Sequence, residues 1–485
     1  MKLDEIFQQL YESNSLENLV SIKEIKTEED KQREISNGYN VVFTLDEWEK
    51  AYPMIPSDNI YFQKNSDVLY FDRKNYILVH THLYTKERPS FIENFETSLK
   101  NVVQDLYELK KKKDYENLLK TNLSEGSGYS TMYLLNLMLE NELPDENLYN
   151  AFTGCYSFTD VGVECISEKA WSNLLLCKTE AQKKDTKKRL SKMPDTFTVY
   201  RGEGSKSTHY NKAISWTTNI NVAYFFASRR GAEKARIISG TVRKEDVVEY
   251  ITDRNESEVL INCGKVKNIS ILSCIEFETF MDTIKYDFED YDDLDNVKND
   301  VAGQIKEIQR LYKQSKNPHA YHEASHTWRV LLLAEYLYHN LVMDKYGFEN
   351  EDIRYTVMED MNKLITAITY HDIGRRNDMV DDMHGKLGCE VFKKDKGNDD
   401  IIEYLITFHC LDDEIARNYL DEMAKDKGEE YKDRVWKLYC ILKDADALDR
   451  VRFGMGEDGL DIKYLREELS KRLIPMAYKL QECEL

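Results

Sequence analysis

The placement of histidines constrains this chain more than any other feature. Seven of its ten histidines (His319, His322, His326, His339, His371, His384 and His409) fall within residues 301 to 485, where an even spread would put about four. Several of them end apolar helical runs. Leu364, Ile365 and Ile368 lead onto His371 and Asp372, and Ile402, Leu405 and Ile406 lead onto His409. His322, His326 and Arg329 share one helix face, starting soon after Pro318, a residue suited to a first helical turn. Leu438 and Leu442 precede two aspartates. At about 100° per residue Asp446 lies about 40° from Leu442, while Asp444 lies about 200° away on the opposite face. Ionisable groups at core-facing positions cost free energy unless paired or coordinated, so a helical bundle around one shared metal centre is predicted. The alternative is a bundle whose histidines are buried and hydrogen-bonded without metal.

A chain of 485 residues suggests about three domains. Only 7 prolines and 20 glycines punctuate it, which favours long helices over a many-stranded sandwich. The net charge of −21 argues against non-specific duplex binding, and short basic runs such as Lys110 to Lys113 and Lys183 to Arg189 read as solvated helix faces. The 9 cysteines include no close Cys-x-x-Cys pair, which excludes a zinc ribbon and fits reduced thiols. The opening MKLDEIFQQL lacks a basic stretch followed by an apolar one, and no long apolar run occurs. A cytoplasmic protein without membrane contact is expected, or one delivered to a target cell by a route the sequence does not display.

Residues 281 to 300 carry eight acidic and two basic side chains and read as a linker. A weaker boundary falls in the Ser- and Gly-containing stretch 121 to 130. The expected division is 1–125, an α+β module; 126–280, a mixed domain; the 281–300 linker; and 301–485, an all-α domain. Strands are predicted at Asn40 to Thr44, Ile60 to Gln63, Val68 to Asp72 and Tyr76 to Leu83, with Lys74 and Asn75 in a hairpin turn. His80 and His82 share a strand face without an acidic neighbour and read as solvent-facing. Helices follow over 131 to 192, then strands at Thr196 to Tyr200, Ala213 to Thr217, Ala235 to Val242, Val247 to Ile251, Glu258 to Ile261 and Ile269 to Glu276.

Three short features stand in order on those strands: Tyr200-Arg201-Gly202, Ser215-Trp216-Thr217-Thr218 and Glu256-Ser257-Glu258. An arginine can grip a pyrophosphate, a serine hydroxyl can hold a neighbouring framework, and a carboxylate beside a ribose can stabilise an oxocarbenium-like centre. The alternative is a β-rich domain in which Arg201 forms a surface ion pair with Glu256 or Glu258. The segments TVYRG, ISWTTNINVAYFFA and RNESEVLI resemble the elements of R-S-E class mono-ADP-ribosyltransferases, over about residues 195 to 262. That resemblance implies a split β-sandwich with helices that binds NAD. Arg201 and Gly202 would contact the cofactor, Ser215 and Thr217 would supply the hydroxyl pair, Glu258 would be catalytic, and Glu256 would meet the acceptor. Tyr224 to Phe226 read as core.

His326, His371-Asp372 within HDIGR and Asp446 within DADALDR resemble the HD-domain metal-dependent phosphohydrolases, over about residues 301 to 450. The resemblance implies a divalent metal (Mn, Fe or Mg). His384 and His409 stand where two-metal members carry further histidines, Arg375 where a basic residue meets substrate phosphate. His322 would be a neighbouring contact, with His319 and His339 at the surface.

The whole is therefore expected to be a multidomain α+β protein. It would transfer ADP-ribose from NAD to a protein or nucleic-acid acceptor, and a metal-dependent domain would hydrolyse a phosphoester or phosphoanhydride, either in ADP-ribose conjugates or in a nucleotide. The alternative is an NAD-glycohydrolase toxin or phage-defence effector whose HD domain is regulatory or holds a nucleotide. Oligomeric state is not legible.

Overall fold

The computed structural model of the chain describes residues 19–64, 68–81, 89–122, 128–156, 159, 163, 166–205, 207–229, 233–252, 255–287, 306–311, 324–343, 351–376, 379, 381–454 and 458–482. They fall in two compact units, Met1–Lys192 and Met193–Leu485. His82, His319 and His322 lie outside the described residues.

In the first unit β1 (Leu19–Ser21), β2 (Ile60–Gln63), β3 (Val68–Asp72) and β4 (Ile77–Thr81) form an antiparallel meander. Helices α1 (Glu28–Ser36) and α2 (Leu45–Ala51) lie between β1 and β2; α3 (Pro89–Lys111), α4 (Tyr115–Asn122), α5 (Gly128–Asn141), α6 (Glu146–Tyr156), α7 (Glu168–Cys177) and α8 (Glu180–Arg189) follow β4. Asn40 to Thr44, expected as a strand, is not one. Tyr39 makes a single bridge to Lys64, and Thr44 instead caps α2 in a reciprocal pair with Glu47. The Thr-x-x-Glu capping box outweighs the β-preference of Val41, Val42 and Phe43. At the β3–β4 turn, Asp72 accepts hydrogen bonds from the Lys74 and Asn75 amides, and Tyr76 takes a left-handed φ of 61°. Helix α4 packs against α6, on the other side of the 123–127 segment, so the stretch read as a weak boundary lies inside one unit.

The second unit opens with β5 (Thr196–Glu203), β6 (Ser215–Thr217), α9 (Ile220–Ser228), β7 (Arg236–Arg243), β8 (Val247–Ile251), β9 (Glu258–Ile261) and β10 (Lys267–Ser273). The strands form one antiparallel sheet in the order β10-β7-β5-β6-β9-β8. Two three-stranded halves meet at a single residue pair, Tyr200 with Thr217. Helix α9 lies so close on β5 that a Cβ on Gly202 would stand 1.8 Å from the Ala223 carbonyl oxygen. At Gly202, the expected cofactor contact, the lack of a side chain lets α9 pack directly on β5. Tyr224 is 2% exposed and belongs to the core, as read from the sequence.

Helix α10 (Phe277–Asp287) extends into the acidic segment, because Phe280, Met281 and Ile284 give it a buried stripe. The remainder of that segment lies outside the described residues. The bundle beyond comprises α11 (Ala324–Tyr338), α12 (Glu351–Tyr370), α13 (His384–Asp395), α14 (Asp400–Phe408), α15 (Asp413–Met423), α16 (Glu429–Leu448), α17 (Glu468–Arg472) and α18 (Ile474–Leu480). Sheet and bundle share one hydrophobic core, in which Ala223, Tyr224 and Ile237 join Phe280, Leu332 and Met476. Helix α9 packs against α18, the Asn221 side chain accepts from the Ile462 amide at 3.0 Å, and the Ile275 amide donates to the Arg472 carbonyl at 2.9 Å. Among the described residues no helix is long and apolar enough to cross a membrane.

Candidate functional site

Five segments of the bundle converge. Helix α11 is buried on every side from His326 to Tyr338, which makes it the bundle's centre and carries His326 inward. His371 and Asp372 stand in the turn after α12, His384 opens α13, His409 ends α14, and Asp446 lies in the last turns of α16. Two glycines let the backbones approach closely enough for these groups to meet. A Cβ on Gly374 would stand 2.1 Å from the His384 carbonyl oxygen, and one on Gly385 would stand 2.6 Å from the Thr407 carbonyl oxygen.

The ligand atoms form two sets that share Asp372. In the first, His326 Nε2 lies 3.3 Å from His371 Nε2, 3.4 Å from Asp372 Oδ2 and 3.3 Å from Asp446 Oδ1. His371 Nε2 stands 3.7 Å from Asp372 Oδ2 and 3.9 Å from Asp446 Oδ1. In the second, His384 Nε2 lies 2.9 Å from His409 Nε2, and Asp372 Oδ1 lies 3.2 Å and 3.6 Å from them. Donors about 2.1 Å from a common cation stand roughly 3.0 to 3.4 Å apart in octahedral or tetrahedral geometry. Both sets are compatible with a bound cation, Asp372 offering one oxygen to each.

The rings are oriented for this. His371, His384 and His409 each point Nδ1 at a backbone carbonyl, of Ile368, Asp381 and Ile406 respectively, and His326 points Nδ1 at Asp449 Oδ2 at 2.7 Å. Carbonyl oxygens only accept, so Nδ1 carries the proton and Nε2 faces the centre with its lone pair.

Burial and the Arg452 guanidinium oppose charge on His326, yet hydrogen bonds to Asp372, Asp446 and Asp449 push its pKa up to about 9. Burial also opposes charge on His384, but bonds to Asp372 and Cys410 push it up to about 10. His409 is pushed down to about 4, by burial first and then by its neighbouring imidazoles against the pull of Asp372. Burial lowers His371 as well. Burial alone would raise Asp372 and Asp446; the surrounding histidines outweigh it and hold both carboxyls well below the usual range. A proton and a cation compete for the same Nε2 lone pairs, so metal affinity falls as pH falls.

Sequence reasoning missed three groups here. Asp449, 0% exposed, accepts from His326, from Arg329 Nη2 at 3.1 Å, from Arg452 Nη1 at 3.0 Å and from Gln481 Nε2 at 2.8 Å. Its place three residues after Asp446 was the available signal. Lys443, one turn before Asp446, donates to the Leu411 carbonyl at 2.7 Å, and burial lowers its pKa while Asp446 and Cys410 pull it back. Arg452 is the third, electrostatically linked to Asp446 and Asp372. Arg375 donates from Nε to Asp372 Oδ1 at 2.8 Å. Asp444, set aside on periodicity, faces away from the centre but is fully buried; it caps the segment before α17 by accepting from the Arg466 and Glu467 amides and Ser470. His339 follows α11, half-buried and apart from the ligand sets.

Because Asp449 fixes the His326 tautomer, Asp449→Asn is expected to weaken metal binding by about 10- to 100-fold without unfolding the chain. Isothermal titration with Mn, with circular dichroism as the control for fold, checks this.

A second polar cluster lies on the sheet. Arg201 donates from Nη1 to the Ser215 carbonyl at 2.9 Å, from Nη2 to the Thr208 carbonyl at 2.7 Å and from Nε to Glu203 at 3.2 Å. The ion pair it makes is thus with Glu203, which also binds Arg236 at 2.7 Å. Ser215 is diagonal to Glu258 across the β6–β9 pairing, and its hydroxyl donates to the Glu258 carboxylate. Thr217 donates to the Glu256 carbonyl at 2.6 Å, which pins the loop before β9. Asn255 and Ser257, on either side of Glu256, take left-handed φ values of 59° and 46°. Arg201, Ser215 and Glu258 are therefore brought together, with Thr217 and Glu256 adjoining.

A family model described as HD domain matches residues 324–451. This C-terminal helical region fits an all-α HD domain, a class that binds divalent metals and is typically hydrolytic. The match does not reach residues 195–262. No curated protein and no solved structure matches the chain.

Proposed function

We propose that residues 324–451 hydrolyse a phosphoester or phosphoanhydride at a two-cation centre. The observation that carries this reading is Asp372, whose two oxygens each face a separate set of histidine nitrogens. Divalent cations held there would supply Lewis-acid polarisation of a phosphoryl oxygen and a water acidified to a pKa of about 7. His326, His371 and Asp446 would hold one cation, His384 and His409 the other. Asp446 is 32% exposed while the histidines are buried, so a substrate would approach on its side. Arg375, Lys443 and Arg452 give that region positive charge, which suits a phosphate despite the acidity of the whole chain. The test is turnover of nucleoside phosphates and cyclic or linear dinucleotides with Mn, with chelator, and by His371→Ala. Hydrolysis that survives both chelation and the substitution would exclude the reading.

A second reading is supported by the hydrogen bond from Ser215 to Glu258 and the contact of Arg201 with the Ser215 carbonyl. Residues 195–262 would bind NAD and transfer ADP-ribose to a macromolecule. Of its five N–H donors Arg201 gives three to the protein, leaving two for a pyrophosphate. Glu258 would stabilise positive charge at the ribose C1 as nicotinamide departs, and Glu256 would accept the proton of the acceptor nucleophile. The product carries a pyrophosphate of the kind the HD region would cut. Simple NAD hydrolysis, toxic to a cell, with the HD region in a regulatory or nucleotide-holding role, is the competing outcome. Mass spectrometry of labelled NAD products separates free ADP-ribose from a modified protein or nucleic acid.

A further inference from the structure

The two cation positions differ in their surroundings. Cys410 directly follows His409, and its Sγ and ring nitrogens of His384 and His409 lie within 4.8 Å of one another. The thiol donates toward the Asp382 and Thr407 carbonyl oxygens at 3.7 and 3.9 Å. His384 and His409 are 2% and 3% exposed, and both give Nδ1 to a carbonyl. Their Nε2 atoms stand 2.9 Å apart, close to the spacing of two donors on one cation. Sulfur–metal and nitrogen–metal bonds of about 2.3 and 2.1 Å place such donors about 3.6 Å apart around a tetrahedral cation.

We propose that Cys410 is the fourth donor of the position formed by Asp372 Oδ1, His384 and His409, and that it makes this position select zinc. The proposal rests on the two-cation reading above. Its donor set would be two imidazoles, one carboxylate oxygen and one thiolate, a set suited to a borderline-soft ion. The other position, with two imidazoles and two carboxylates, lacks sulfur and is the better site for Mn. On binding, the Cys410 S–H proton passes to solvent as the sulfur–metal bond forms. None of the other cysteines among the described residues falls in a candidate ligand group.

Cobalt(II) is the probe, because a thiolate ligand gives it a near-ultraviolet charge-transfer band that nitrogen and oxygen ligands do not. The full chain is expected to bind two cobalt ions and to develop the band. Cys410→Ser should keep both ions and lose the band, and its preference for Zn over Mn at the second position should fall by about 10- to 100-fold. Cys263→Ser, at an exposed cysteine remote in sequence, should keep the band. Two bound cobalt ions with no band in the unmodified chain, or a band that persists in Cys410→Ser, would overturn the role of sulfur and leave the metal centre standing. No cobalt binding at all would overturn both.

Discussion

Asp372→Ala is expected to abolish hydrolysis and empty both cation positions at once. Asp372 gives Oδ2 to the pair His326–His371 and Oδ1 to the pair His384–His409, and His371 and His409 also group with it across the two sets. Bound cations contribute several kcal/mol of charge stabilisation to phosphoryl transfer, and at about 1.4 kcal/mol per tenfold the loss is on the order of a thousandfold in rate. His409→Ala, by contrast, should remove one ion and spare the other. Metal content by mass spectrometry would read close to zero, one and two ions for Asp372→Ala, His409→Ala and the unmodified chain. The Asp372 variant should still fold, because the core around α11 and α16 consists of apolar side chains that it leaves in place. A variant that keeps two ions and hydrolyses within tenfold of the parent rate would refute the bridging role.

Much of that centre was legible because helical periodicity places side chains by angle. The apolar runs before His371, His409 and Asp446 pointed these residues at a common interior, and the structure brings their ligand atoms within 4 Å of His326, of Asp372 or of each other. Angle alone could not say what lies on the opposite face. Asp444 was placed correctly away from the centre, yet it is buried by residues 466 to 470, which are close to it in space through a turn that periodicity does not encode. Asp449 was missed for a related reason. Its partners Arg329, Arg452 and Gln481 come from three separate segments, and only the fold assembles them. The strands of the second unit were legible from alternation and β-branched residues, whereas Asn40 to Thr44 misled because a capping box acts over three residues and overrides a five-residue propensity. Composition marked 281 to 300 as separate from what precedes it. The stripe Phe280, Met281 and Ile284 crosses that border and ties it to the core, a long-range effect that a charge count does not register.

The largest effect on the sheet is expected from Glu258→Ala, which should lower NAD consumption by on the order of a thousandfold, the scale of removing one group that faces developing charge. The carboxylate is held by Ser215, whose own carbonyl is held by Arg201, so the three act in series. Ser215→Ala removes a hydrogen bond to a charged group, about 1.5 to 3 kcal/mol, and should cost about 10- to 100-fold. Glu256→Ala leaves that chain intact, since Thr217 binds the backbone carbonyl of Glu256, which the substitution retains. It should therefore spare NAD hydrolysis while losing transfer to the acceptor. Each variant should hydrolyse the HD region's substrate at the parent rate, which distinguishes a lost site from a lost fold. NAD turnover is followed by release of labelled nicotinamide. If Glu258→Ala releases nicotinamide as fast as the unmodified chain, the carboxylate has no part in the reaction. The hydrogen bond from Ser215 would then be what it is in any paired strand, a contact that fixes the register of β6 against β9.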